Sequence, residues 1–187
     1  SFAAMIIYLP VENSKRELVA KCFLAARLVK DKHTVVISRP DLFDQIGWPC
    51  GGLYIGKNFF RTELPYSLKF ANAMRAKNIA LWYLDEEGGV YQGDSELEWT
   101  NKLRLRVDRN TLTSKEKLLV WGDWQKKYFE SQPGTASVEV VGSPNYDVMR
   151  PMYASALRQF DEVQTTGWSD YILINTRFTG ANGVLGI

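Results

Sequence analysis

Seven short runs of apolar, β-branched or aromatic residues punctuate the chain, at positions 5–11, 33–38, 52–55, 79–84, 118–121, 138–141 and 171–174. Most are followed by a segment whose apolar residues recur at helical spacing, and strand followed by helix, repeated, predicts a parallel sheet with helices packed on both faces. The first such segment carries Leu18, Cys22, Ala25, Ala26 and Val29 at helical intervals. Ser14 and Glu17 stand before it in the order of a capping box, and Lys30, Asp31 and Lys32 close it. A short helix is expected over 41–46 and a longer one over 65–76, where a proline suits the first turn and Leu68, Ala71 and Met74 share a face. The polar stretch from Asp94 to Lys117 reads as mostly helical, capped by Asp94 or Ser95 and again by Thr113 or Ser114. Asp123 is expected to cap a further helix reaching about Ser131, broken by Pro133 and Gly134.

The fold class that follows is α/β, a Rossmann-like, open, mainly parallel sheet with helices on both faces. Residues 5–165 are expected to form this domain. Ser1 to Ala4 precede Met5 and read as a vector-derived leader. The run 171–174 reads as a fresh buried strand with no helix after it, so 166–187 are expected to be a linker and the first strand of a truncated second domain.

At 187 residues and 45% hydrophobic, the chain is long enough for one sizeable core. Its net charge of +2 is too mild for the basic footprint of a nucleic-acid binder. No run approaches the roughly 20 apolar residues of a membrane span, and no signal pattern opens the chain, so a cytoplasmic protein is expected. Cys22 and Cys50 have no metal-ligand spacing, and Cys22 is expected to be a buried, reduced thiol. His33, the single histidine, stands before the second strand, the end away from the expected site. That position argues against a Ser-His-Asp apparatus and against a histidine-based metal site.

In open parallel sheets, ligands bind outside the carboxyl ends of the strands, near the point where strand order reverses. The residues just past each run are therefore the candidates: Glu12 and Asn13; Arg39; Lys57, Asn58 and Arg61; Asp85 to Gly89; Gly122, Asp123 and Gln125; and Gly142 to Asp147. Asp85, Glu86 and Glu87 place three carboxylates at one strand end, where repulsion or burial raises a pKa toward general acid or base use. A solvated acidic turn held by Gly88 and Gly89 is the alternative. Gly142, Ser143, Pro144 and Asn145 offer backbone N–H groups to an anion or a sugar hydroxyl, or make a plain turn with Ser143 or Asn145 as the cap. Trp121 and Trp124 lie beside this rim, where rings either stack on sugars or pack in the core. Neither GxGxxG nor GxxxxGK[ST] occurs in the chain.

Several segments taken together resemble one family. Leu9-Pro10-Val11-Glu12 with Arg16-Glu17-Leu18, then Ile55-Gly56-Lys57-Asn58, Leu84-Asp85-Glu86-Glu87-Gly88, Trp121-Gly122 with Gln125, Val141-Gly142-Ser143-Pro144-Asn145-Tyr146-Asp147 with Arg150-Pro151, and Ile172-Leu173-Ile174-Asn175-Thr176, are similar in order and spacing to bacterial surface carbohydrate biosynthesis proteins, related to glycosyltransferases of the two-domain GT-B type. Asn145 departs from the pattern, which tends to place a basic residue there. The resemblance implies an acceptor-side first domain, with Glu87, Glu86 and Asp85 as catalytic candidates. Glu12, Asn58, Arg61, Gln125, Gly142, Ser143, Asn145 and Asp147 are then candidates to bind a carbohydrate or lipid-linked acceptor. It also implies that no metal is needed, that a nucleotide-sugar donor binds only with a complete second domain, and that the chain alone is inactive. Self-association through the exposed interdomain face is a further expectation. Competing readings are a non-catalytic carbohydrate- or partner-binding module and a polyol-phosphate transferase-like domain.

Overall fold

The computed structural model describes residues 3–39, 51–57, 65–86 and 95–158. Residues up to Ala154 belong to one compact unit, and Ser155 onward to a second, of which only residues 155–158 are described. The expected helix at 41–46, the expected strand at 171–174 and the boundary at 165/166 lie outside the described residues.

Six strands are described: β1 (Ile6–Pro10), β2 (Thr34–Ser38), β3 (Gly52–Gly56), β4 (Ile79–Leu84), β5 (Lys117–Val120) and β6 (Ser137–Val140). They form one sheet in the order β2-β1-β3-β4-β5-β6, and every neighbouring pair is parallel. The described helices are α1 (Ser14–Lys30), α2 (Pro65–Ala76), α3 (Glu96–Arg106), α4 (Asp123–Ser131), the single turn α5 (Pro144–Asp147) and α6 (Pro151–Arg158). The open α/β Rossmann-like arrangement read from the sequence is thus the observed one.

Chain direction across the sheet reverses once, because β2 lies on one side of β1 and β3 to β6 follow on the other. Right-handed crossovers then send the helices to opposite faces. Leu24, Ala25 and Leu28 of α1 pack on a cluster of Ile7, Leu9, Leu53, Ile55, Leu84 and Leu119. Ala71 and Met74 of α2, Leu103 of α3 and Phe129 of α4 join Tyr8, Tyr54, Leu81, Tyr83 and Leu118 on the other face. Gly52 opens β3 at φ +110, and a Cβ there would collide with the backbone carbonyl of Ile6, so a side chain is excluded where β3 starts beside β1.

Local signals depart from the sequence reading in several places. Asn13, not Ser14, caps α1: its backbone is extended and its side chain accepts from the Lys15 amide at 3.1 Å. The buried stripe of α1 runs through Glu17, Ala20 and Lys21, while Leu18, Cys22 and Val29 are exposed. Cys22 is therefore an accessible thiol, because the helix is rotated about one residue from the face its apolar pattern suggested. Of the two expected caps, Ser95 stands at the N-cap of α3, in a capping box with Glu98. No helix follows Thr113 and Ser114; after a 3-10 turn, Arg109–Thr111, a single turn closed by the Glu116 amide on the Thr113 carbonyl precedes β5, and the Thr113 amide donates to the Glu116 carboxylate. Gly122 occupies the N-cap of α4, with Asp123 the first helical residue, and Gln125 reaches back to accept from the Trp121 amide at 2.6 Å. No helix among the described residues is long and apolar enough to cross a membrane.

Candidate functional site at the carboxyl ends of β1, β3 and β4

The single reversal of strand order falls between β1 and β3, and the side chains just past these strands meet there. Lys57, following β3, places its ammonium 2.9 Å from Glu17 Oε1 and 3.1 Å from a carboxylate oxygen of Glu12, which follows β1. Glu17 turns its other oxygen to the backbone amides of Glu12 and Asn13, at 2.8 and 3.4 Å. The last turn of chain before α1 and the first turn of the helix are thus clamped to the end of β3.

One helical turn on from Glu17, Lys21 extends beneath α1 and meets Glu86, past the end of β4, at 2.8 Å. Its ammonium also lies 3.5 Å from the carbonyl oxygen of Ile55. The Lys21 and Glu86 side chains are 1% and 4% exposed, so this is a fully buried ion pair, whereas the Glu12 side chain is 41% exposed. Glu12 is the carboxylate of the cluster that a solute reaches directly.

The two buried carboxylates are displaced in opposite directions. Burial pushes Glu86 above the ordinary 4.5, Lys21 opposing and Glu17 adding to the rise. At Glu17 burial also pushes upward, but the Lys57 ammonium and the two backbone amides together outweigh it, and its carboxyl lies below 4.5. A depressed acid stabilises the fold above its unfolded value, and that contribution disappears as pH falls through the folded one. Glu17→Gln should therefore be less stable than the parent at pH 7, with the difference closing as pH drops below about 4.5. Urea melts at pH 7 and pH 3 measure this, and an unchanged gap would count against the Glu17 assignment. Tyr54, buried on the other face of β3, is pushed well above 10 by burial and then by the Glu86, Glu12 and Glu17 carboxylates.

Asp85 is buried beside this cluster with different partners. Its carboxylate accepts from Arg106 Nη1 at 2.9 Å and from Gln125 Nε2 at 3.1 Å, and its carbonyl oxygen accepts from the indole N–H of Trp121. It ties the end of β4 to the last turn of α3 and the first turn of α4. Trp121 packs edge-on against Tyr146, with ring centroids 5.0 Å apart. Trp124 packs on Trp99 and donates to Glu96.

Past β6, Gly142 takes a left-handed φ of +77, and Ser143 stands at the N-cap of α5 without a side-chain cap bond. The strand-to-helix turn with Ser143 in the N-cap position forms, but the Ser143 hydroxyl makes no cap bond and is buried without a hydrogen-bond partner, and the Asn145 amide donates to the carbonyl oxygen of Glu86 at 3.3 Å. Asp147 pairs with Arg150 at 2.8 Å.

Of the sequence candidates, Glu12, Asp85, Glu86, Gln125 and Asn145 are linked at one rim, Ser143 is buried two residues from Asn145, and Asp147 is turned to Arg150. Glu87, Asn58 and Arg61 lie outside the described residues. Lys21 and Tyr54 were missed. The signal for Lys21 was present: 17, 20, 21, 24, 25 and 28 make a complete helical stripe, hidden because two of its members are charged. His33 stands at the opposite end of the sheet, before β2, as its position in the chain indicated. Among the described residues, no group of three or more His, Cys, Asp and Glu is placed to hold a metal ion. No family model, curated protein or solved structure matches the chain.

Proposed function

We propose that this chain is the acceptor-binding half of a nucleotide-sugar-dependent glycosyltransferase-like protein, of the kind that builds bacterial surface polysaccharide. The observation that carries this reading is the carboxylate cluster at the strand-order reversal, where Glu12 is open to solute and Glu86 is held behind it by Lys21. Neutral sugars are recognised by just such fixed arrays of carboxylate acceptors and ammonium donors, because each hydroxyl both gives and takes a hydrogen bond. Glu12 and Lys57 would orient the acceptor hydroxyl. The hydroxyl oxygen would attack the anomeric carbon, the bond to the nucleoside diphosphate would break, and the exposed Glu12 carboxylate would take the hydroxyl proton, with Glu86 paired to Lys21 behind it. The donor would be held outside this sheet, since neither common phosphate-loop motif occurs in the chain.

Saturation-transfer NMR of the 187-residue chain with neutral mono- and disaccharides tests the reading. Binding with a Kd of about 1 mM is expected, weakened about tenfold by Glu12→Gln or Lys57→Met. Absence of saturation transfer, or binding indifferent to both substitutions, would refute it. A second reading, a carbohydrate-binding module without catalysis, is favoured by one observation: Asp85 and Glu86 are already committed to Arg106, Gln125 and Lys21. Incubating the protein with labelled nucleotide-sugars and the sugar it binds separates the two, since only a transferase moves the label.

A further inference from the structure

On the α1 face of the sheet, side chains of α1, β3, β4 and β5 line a common hollow. It is a groove of about 440 Å³ whose walls include Leu24, Ile55, Trp82, Leu84, Leu119 and Val148. Its size is that of a small-molecule site rather than of a flat protein interface. It also adjoins the charged cluster through two shared segments. Ile55 lines the groove while its carbonyl oxygen faces the Lys21 ammonium. Pro144 lines it while the next residue, Asn145, bonds the backbone of Glu86.

The charges say what kind of head would lie at that junction. Three carboxylates, Glu12, Glu17 and Glu86, stand with three cations, Lys21, Lys57 and, 4.0 Å from Glu17, Arg16, and each cation is already paired with a carboxylate. The ionised side chains on the groove itself are balanced as well, Arg27 by Asp31 and Asp147 by Arg150. A phosphate or carboxylate head would have to compete with a carboxylate for each of these cations, whereas an uncharged polyol would find donors and acceptors together.

We infer that the groove holds the hydrocarbon tail of an uncharged, hydroxyl-bearing amphiphile, whose head lies at the Glu12–Lys57–Glu86 cluster. This rests on the carbohydrate reading above and narrows it: the acceptor is a neutral glycolipid-like molecule, not a free sugar and not a lipid phosphate.

The test compares octyl glucoside, methyl glucoside, 1-octanol and octyl phosphate, each below its micelle-forming concentration, by calorimetry on the full chain. Octyl glucoside should bind about a hundredfold more tightly than methyl glucoside, since burying methylenes is the main gain, and at least tenfold more tightly than octyl phosphate. Val148→Trp at the groove wall should abolish the advantage of the octyl chain while leaving methyl glucoside binding unchanged. Ala20→Leu, which narrows the groove from α1, should do the same, and urea melts establish that each variant is folded. Equal affinity for octyl and methyl glucosides would overturn the inference and leave the carbohydrate reading standing. Octyl phosphate binding as tightly as octyl glucoside would overturn the charge argument. If 1-octanol matches octyl glucoside, the carbohydrate reading falls, and with it the assignment of a sugar-like head.

Discussion

Lys21→Met should destabilise the fold by about 3–5 kcal/mol, because it leaves the Glu86 carboxylate buried without its cation. The pair is almost wholly shielded from water, so solvent cannot take over the role of Lys21. The sign of the pH dependence follows from the direction of the Glu86 shift. A carboxyl whose folded pKa is raised holds its proton more tightly in the native state. Its stabilising contribution is complete below the ordinary 4.5 and is lost as pH rises through the raised value. Removing Lys21 raises that value further, so the deficit of Lys21→Met should be largest at neutral pH and should shrink on acidification. Combining it with Glu86→Leu removes both charges and should return stability to within about 1 kcal/mol of the parent, since buried pairs replaced by apolar groups of similar size are often neutral. Denaturant melts of the parent, the single and the double variant measure all three statements. A single variant as stable as the parent would show that the pair does not form in solution.

Asp85→Ala should cost about 3 kcal/mol, chiefly by stranding Arg106 and Gln125, both of which turn a donor toward the lost carboxylate. Asp85→Asn keeps the shape and one acceptor, and should cost about half as much. Because the Asp85 carbonyl holds the Trp121 indole, and Trp121 packs on Tyr146, the alanine variant should also alter the near-ultraviolet dichroism of these rings. A fully stable Asp85→Ala protein with parental dichroism would remove Asp85 from its place as the tie between β4, α3 and α4. The two substitutions test neighbouring carboxylates with different partners: Asp85 ties β4 to α3 and α4, and Glu86 neutralises Lys21.

The acidic strand end at 85–87 was visible in the chain as three carboxylates after an apolar run, but the sequence treats them alike. What separates Asp85 from Glu86 is which neighbour each meets. Asp85 meets Arg106 and Gln125, distant by 21 and 40 positions in the chain, and Glu86 meets Lys21 from the opposite side of β4. No local pattern carries those separations.

The short apolar runs, and the helical recurrence of apolar residues between them, determined the alternation of strand and helix, the parallel sheet and the rim on which polar residues gather. These are consequences of local geometry and of burying one face of each element. Strand order is a different matter. That β3 pairs with the edge of β1 away from β2, so that the reversal lies at Glu12 and Lys57, depends on which edges pair, a choice made by the whole sheet. The face α1 buries was likewise decided by tertiary structure: an apolar count favours Leu18, Cys22 and Val29. The sheet instead accepts Glu17 and Lys21, because Lys57 and Glu86 wait there to neutralise them. A charge is affordable inside a protein only when a partner of opposite sign is in place, and that partner is supplied by the fold.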